Sequence, residues 1–313
     1  MIKKYIHIIR DKFDEIIVLL KDIRKRLSKS EKVYEIQTFQ YGQLLTSQLK
    51  LKGELHNLHD AEFKVFSQWG DDGIIQYLIN YLAIPNTIFV EFGVEDYKES
   101  NTRFLLMNNN WSGLVLDGSS ANINTIKNST IYWKYDLQAT HAFITVENIN
   151  TLISDAGFSG EIGLLHIDID GNDYWIWKAL EVVTPIIMIV EYNSIFGSDR
   201  SITIPYRSDF VRSKAHYSNL YAGSSLPALC DLALEKGYVF IGSNSAGNNA
   251  YFLKKGYEKN IKTLDVKKGY VVSKFRESRN KDGKLTYLRG DDRLKELKGM
   301  PVFNTITNQI EEI

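Results

Sequence analysis

Residues 238–241 and 250–253 both read as apolar strands, and only the Gly-, Asn- and Ser-rich stretch 242–249 lies between them. A parallel crossover needs about a dozen residues or more and usually a helix, so these two strands must form an antiparallel hairpin. Upstream, from about Phe63, short apolar runs alternate with stretches of helical periodicity. Runs 87–92, 113–116, 130–135, 163–169 and 186–190 read as strands one to five, and helices fill the gaps, among them 74–82 and 174–180. Asp71 or Asp72 is placed to cap the first of these helices, and Asp170 or Asn172 the second. The order predicts an α/β fold: a Rossmann-like, mostly parallel sheet ending in an antiparallel hairpin.

Ahead of this domain, Ile2, Ile6, Ile9, Phe13, Ile16, Leu20, Ile23 and Leu27 are spaced alternately four and three apart, which is the seam of a coiled coil. The frame continues through Tyr34, Tyr41, Leu44, Leu51, Leu55 and Leu58, interrupted by Ser30, Gln37 and Gln48 at seam positions. Residues 1–60 are therefore expected to form a helical coiled-coil extension that joins copies of the chain, with packing onto its own domain as the alternative. Lys3, Lys4, Lys21, Arg24, Lys25 and Arg26 offer a further contact, to anionic lipid. The main domain is expected over 61–255, with a long insertion at 194–221, and a charged extension over 256–313.

The 38 basic and 38 acidic residues cancel, so no global field draws the chain to nucleic acid. A single cysteine, Cys230, excludes an internal disulfide framework and a thiolate metal cluster, and is expected to be inert core. Charges at Arg10, Asp11, Lys12, Asp14 and Glu15 interrupt any signal-peptide core, and no stretch offers the roughly eighteen uncharged residues of a membrane span. A cytoplasmic protein without a transmembrane segment is the expectation.

The chemistry-bearing residues gather at the ends of the expected strands. The first strand ends in Val90-Glu91-Phe92-Gly93, with one glycine of a Gly-x-Gly-x-x-Gly pattern. Backbone cannot approach a pyrophosphate there, which disfavours a dinucleotide. The second ends in Leu116-Asp117-Gly118-Ser119, where a carboxylate can accept hydrogen bonds from both hydroxyls of a ribose. Ser100-Asn101-Thr102 is placed to cap the next helix, and Asp136, after the third run, either receives an adenine amino group or closes an ordinary turn. The densest polar run is His166-Ile167-Asp168-Ile169-Asp170-Gly171-Asn172-Asp173, where strand alternation puts His166, Asp168 and Asp170 on one face. Glu191-Tyr192-Asn193 ends the fifth strand beside it.

These stretches, together with Ser67-Gln68-Trp69-Gly70-Asp71-Asp72-Gly73-Ile74, Tyr221-Ala222-Gly223-Ser224-Ser225-Leu226 and 242–250, resemble the FkbM-like branch of class I S-adenosylmethionine (SAM)-dependent methyltransferases. The bacterial relatives associated with surface-glycan and capsule sugars are especially similar. The likeness covers roughly residues 63 to 255 and leaves the coiled-coil extension outside. It implies SAM as cofactor, with Glu91, Gly93 and Asp117 in its pocket, and a carbohydrate hydroxyl as acceptor; Asn101, Gly118 and Asp136 are further candidate cofactor contacts from their own places in the sequence. Glu95 and Asp96 make the first loop more acidic than a glycine-rich version.

Methyl transfer to oxygen needs in-line positioning and a proton acceptor. Asp170 is the first candidate base and His216, in the insertion, the second; Asp168, Glu191 and Asn193 complete the catalytic set. Those same oxygens could instead hold magnesium, and zinc is disfavoured for want of paired histidines or cysteines. Arg200, Arg207, Arg212 and Lys214 suit the phosphates of a nucleotide-activated sugar. A nicotinamide-dependent oxidoreductase and a non-catalytic nucleoside-binding scaffold are the competing classes.

Overall fold

The computed structural model describes residues 2–82 and 84–313, with the side chains of residues 2–9 and of Asp11 outside the description. The seam positions Ile2, Ile6 and Ile9 and the basic pair Lys3 and Lys4 fall among these. The chain divides into two compact units, 1–45 and 46–313. The first is carried by a continuous helix, Ile2–Lys52. Its seam residues Phe13, Ile16, Leu20, Ile23 and Leu27 are all exposed. No described helix is long and apolar enough to cross a membrane.

The second unit is a layered α/β domain. Strands β1 (Ile88–Phe92), β2 (Ser112–Asp117), β3 (Leu137–His141), β4 (Gly160–Ile167) and β5 (Val183–Glu191) run parallel. A two-residue strand, β6 (Ile202–Thr203), comes next, followed by β7 (Tyr238–Ser243) and β8 (Asn249–Lys254). The main sheet has the order β3-β2-β1-β4-β5-β8-β7, with β8 antiparallel to both β5 and β7. The hairpin and the Rossmann-like order thus match the sequence expectation.

Alternation along each strand sends side chains into two cores. Phe89, Val115, Leu164, Ile187 and Leu253 face helix Asp71–Leu82. Val90, Leu116, Leu165, Met188 and Phe252 face helices Asp173–Ala179 and Leu226–Glu235. Covering both faces explains why the central strands read as unbroken apolar runs.

The third strand is a correction. Residues 130–135, expected as a strand, form a helix at Thr130–Lys134, and β3 follows at 137. The stretch is rich in β-formers, but Ile131 alone is buried and Trp133 is 76% exposed. The true strand is a sheet edge in which Leu137 and Ala139 are buried while Gln138 and His141 are exposed, so it lacks the apolar run that marks the central strands. The fourth strand also ends early, at Ile167. His166 therefore lies on the sheet opposite Glu91, but Asp168 and Asp170 belong to the loop beyond, and Asp170 has φ +57°.

The charged extension contributes strands of its own. Strands β9 (Pro301–Asn304) and β10 (Gln309–Glu312) form an antiparallel sheet with β6 of the insertion. Phe196, Ile202, Phe210, Tyr221, Leu297 and Val302 make its core.

Candidate active site

Sheet order reverses direction between β1 and β4, and in such sheets ligands bind beyond the carboxyl ends of the strands at that crossing. A cleft of about 560 Å³ lies there, inside the usual range for small-molecule sites. Glu91, Gly93, Asn101, Asp117, Gly118, Asp168, Asp170, Glu191 and Asn193 all line it. Asp136 and His216 do not.

Glu91 is buried and its carboxylate is consumed by the protein. Oε1 accepts from the Asn101 amide at 2.9 Å and faces His166 Nδ1 at 3.0 Å. Oε2 accepts from Ser100 Oγ at 2.5 Å, Thr102 N at 3.1 Å and Thr102 Oγ1. Thr102 makes no side-chain cap on helix Arg103–Asn109, and the Glu91 carboxylate instead fixes the Asn101 and Thr102 backbone that leads into it. Burial alone would raise the Glu91 pKa, yet the hydrogen bond and charge of His166 and the Ser100 and Thr102 hydroxyls bring it below the usual value. For His166, burial is outweighed by Glu91, Asp168 and Asp71, which raise its pKa. Asn101 Nδ2 stands 3.2 Å from His166 Nε2, so Glu91 positions two residues that face the cleft.

Gly93 is dictated by backbone. With φ +73°, a Cβ at this position would lie 1.6 Å from the Asp168 carbonyl oxygen. The first and fourth strand loops thus touch at the floor of the cleft. Gly118 has no such demand, since its Cβ would meet Phe143 at an ordinary 3.7 Å. Asp117 Oδ1 accepts from Ser119 N at 2.8 Å and Asn122 Nδ2 at 3.1 Å, and Oδ2 from Glu95 N at 2.8 Å. Two hydrogen bonds fill Oδ1, while Oδ2 keeps one acceptor position for a ligand. Asp136 is corrected: it precedes β3, its carbonyl bonds Gly113 at the amino end of β2, and its side chain is exposed. Moving the third strand removes it from the ligand end, where Ala142, Phe143 and Ile144 stand instead.

The oxygens of Asp168, Asp170 and Glu191 gather within 4.8 Å of one another. Burial and the neighbouring carboxylates Glu191 and Asp170 push Asp168 well above the usual range. Burial, with Asp170 and Asp173, pushes Glu191 to about 8, and Arg212 and a hydrogen bond with Asp168 offset this only in part. Asp173 ties the loop by accepting from Ile169 N and Gly171 N, both at 2.9 Å. A group whose folded pKa is raised stabilises fully below its unfolded value and loses that contribution as pH rises through the folded one. For Glu191 the window runs from about 4.5 to about 8, and Asp168 acts with the same sign. The expected result is a Tm that falls across this window, with a flatter slope in Glu191→Gln. An unchanged slope in that variant would remove the crowding from the account.

The insertion and tail close the other side. Asn193 Nδ2 donates to the Leu220 and Ala222 carbonyls, both at 2.9 Å, and Oδ1 accepts from Ile195 N at 3.1 Å. It fastens the insertion to β5. Arg212 Nη1 meets Asp170 Oδ1 at 2.5 Å. His216 is corrected: its Nδ1 meets Ser218 Oγ at 2.7 Å, its ring lies against Tyr217, and burial lowers its pKa. It is not placed to take a proton in the cleft. The sequence reading missed Phe275, Glu277 and Arg293, which reach the cleft from the charged tail, and Phe143 and Ile144, hidden by the misplaced strand.

No family model matches the chain, and no curated protein is similar to it in sequence. Solved structures do match. The N-terminal domain of EvdMO1 with SAH bound is 11% identical, with 60% of this chain and 81% of that one covered and a TM-score of 0.38. A SAM-dependent methyltransferase from Clostridium acetobutylicum is 10% identical over 59% of this chain and 91% of that one, TM-score 0.38. An O-methyltransferase from Bacillus cereus in complex with SAH is 10% identical over 70% and 91%, TM-score 0.40. The fold assignment rests on the sheet order itself.

Proposed function

We propose that the chain is a SAM-dependent O-methyltransferase acting on a hydroxyl of a sugar or nucleotide-linked sugar, with a place in bacterial polysaccharide synthesis. The observation that carries the reading is the character of the cleft: carboxylates line it at the switch point, and among the described residues no glycine-rich phosphate cradle lines it. That surface suits a cofactor bearing a sulfonium and an ammonium, and the loop after β1 lacks the glycines that would let backbone approach the pyrophosphate of a dinucleotide. Asp117 Oδ2 has the free acceptor position for a ribose hydroxyl, Phe143 and Ile144 offer the apolar wall for a base, and Asn101 faces the amino-acid end. Glu91 supports this site through Asn101 and His166.

When bound beside Gly93 and Asp117, SAM would supply a methyl group activated by its sulfonium. The protein's part is to orient the acceptor oxygen and take its proton. In its ionised form the Asp168–Glu191 pair is the better acceptor, because crowding raises its basicity, whereas Asp170 is committed to Arg212. Magnesium held by the same three carboxylates is the variant of this mechanism.

Titration calorimetry of the full chain with SAM, SAH and NAD tests the proposal. SAM and SAH are expected to bind and NAD not to; binding of NAD alone would restore the oxidoreductase reading. Asp117→Ala is expected to weaken SAM at least about tenfold, the worth of one hydrogen bond to a charged acceptor, and unchanged affinity in a folded variant removes Asp117 from the site. Self-association through the exposed seam of the first unit belongs to the same reading. Deleting residues 1–45 is expected to reduce the sedimenting species to a smaller assembly, and identical behaviour of both forms would end that claim.

A further inference from the structure

The arginines expected to meet a phosphate are already neutralised. Arg200 pairs with Glu311 at 2.7 Å, Arg207 with Asp209 at 3.1 Å and Arg212 with Asp170 at 2.5 Å. Arg293, on helix Asp291–Glu296 of the tail, differs from all of them. It is 6% exposed and lines the cleft, together with Phe275 from the preceding segment. Its one side-chain hydrogen bond runs from Nη1 to the Phe275 carbonyl at 3.2 Å, and its Nε is buried with no partner. No carboxylate lies within ion-pair distance of it among the described residues. Burial therefore lowers its pKa, and Tyr270 is the neighbour that opposes the shift. A guanidinium stays charged in a protein, and a buried charge without a counter-ion is costly unless a ligand brings one. Two parallel N–H groups on a planar fork match an oxyanion.

We propose that Arg293 is a specificity-determining residue that binds a negatively charged oxyanion, phosphate or carboxylate, carried by the acceptor. The inference deepens the methyl-transfer reading and rests on it for the identity of that ligand as acceptor. It makes the acceptor a sugar phosphate, a nucleotide-linked sugar or a uronic acid, and excludes a neutral free sugar.

The test uses the full chain with SAH present, titrated with inorganic pyrophosphate and, separately, with glucuronate. At least one is expected to bind, and Arg293→Met, which keeps an unbranched stem and removes the charge, is expected to weaken it at least about tenfold. Arg293→Lys should recover part of the loss, and Arg200→Gln, away from the cleft, should change nothing. Binding of pyrophosphate alone assigns a phosphate, and of glucuronate alone a carboxylate. SAH affinity and Tm of Arg293→Met are expected to hold or rise, because an unpaired buried charge has gone. If neither probe binds, or both bind wild type and Arg293→Met equally, the inference is overturned. Absence of SAH binding in the wild type would instead sink the methyltransferase reading and leave the anion result standing as a separate finding.

Discussion

Gly93→Ala is expected to unfold the cleft floor and abolish cofactor binding, with a loss of at least about 3 kcal/mol in urea unfolding. Two effects add. The residue sits at φ +73°, which an alanine adopts only under strain, and its Cβ would lie 1.6 Å from the Asp168 carbonyl oxygen. A backbone oxygen cannot rotate aside as a flexible side chain can, so β1 and the loop after β4 must separate. Gly118→Ala is the control, since its Cβ would have an ordinary 3.7 Å neighbour. Equal stability of the two variants would show that the loops do not meet as described.

The second large effect is on rate. Asp168→Asn is expected to slow methyl transfer at least about a hundredfold while SAM still binds, which is the lower range for a positioned general base. The fold should hold, because Asn keeps the size of a carboxyl group that burial and crowding with Glu191 and Asp170 already hold toward its neutral form. Asp170→Asn should have the smaller effect, expressed through release of Arg212. Single-turnover methylation with a mass readout measures both. The reverse ranking would return the base to Asp170, and activity lost to a chelator but restored by magnesium would make the three carboxylates metal ligands.

The parts of the fold that were legible in sequence are those with one physical solution. A strand buried on both faces must be apolar throughout, so β1, β2 and β5 announced themselves. The loop 242–249 was too short for anything but a hairpin. The edge strand β3 escaped because one covered face leaves it half polar, and its loss carried Asp136 to the wrong end of the sheet. In the site, residue types marked the right neighbourhood, and eight of the nine cleft residues named above, all but Asn101, lie at or just beyond the carboxyl ends of β1, β2, β4 and β5. Sequence could not show which carboxylates the protein keeps for itself. Glu91 and Asp117 read alike as acids at strand ends, yet one is fully consumed by Ser100, Asn101, Thr102 and His166 while the other keeps a vacant lone pair. Arg293 stood in a charged segment with no pattern around it, and only the return of the tail brings it to the cleft.

That return sets an order of events during synthesis on the ribosome. Strands β1 to β5 emerge in sequence and can pair as they appear, which brings Gly93, Asp117 and Asp168 together before the chain is finished. The opposite side of the cleft cannot be completed then, because β6 waits for β9 and the cleft waits for Phe275, Glu277 and Arg293. A nascent chain halted near residue 260 would hold the side of the cleft built by β1 to β5 open to water, and the cleft would be complete only once the tail had folded back onto β6.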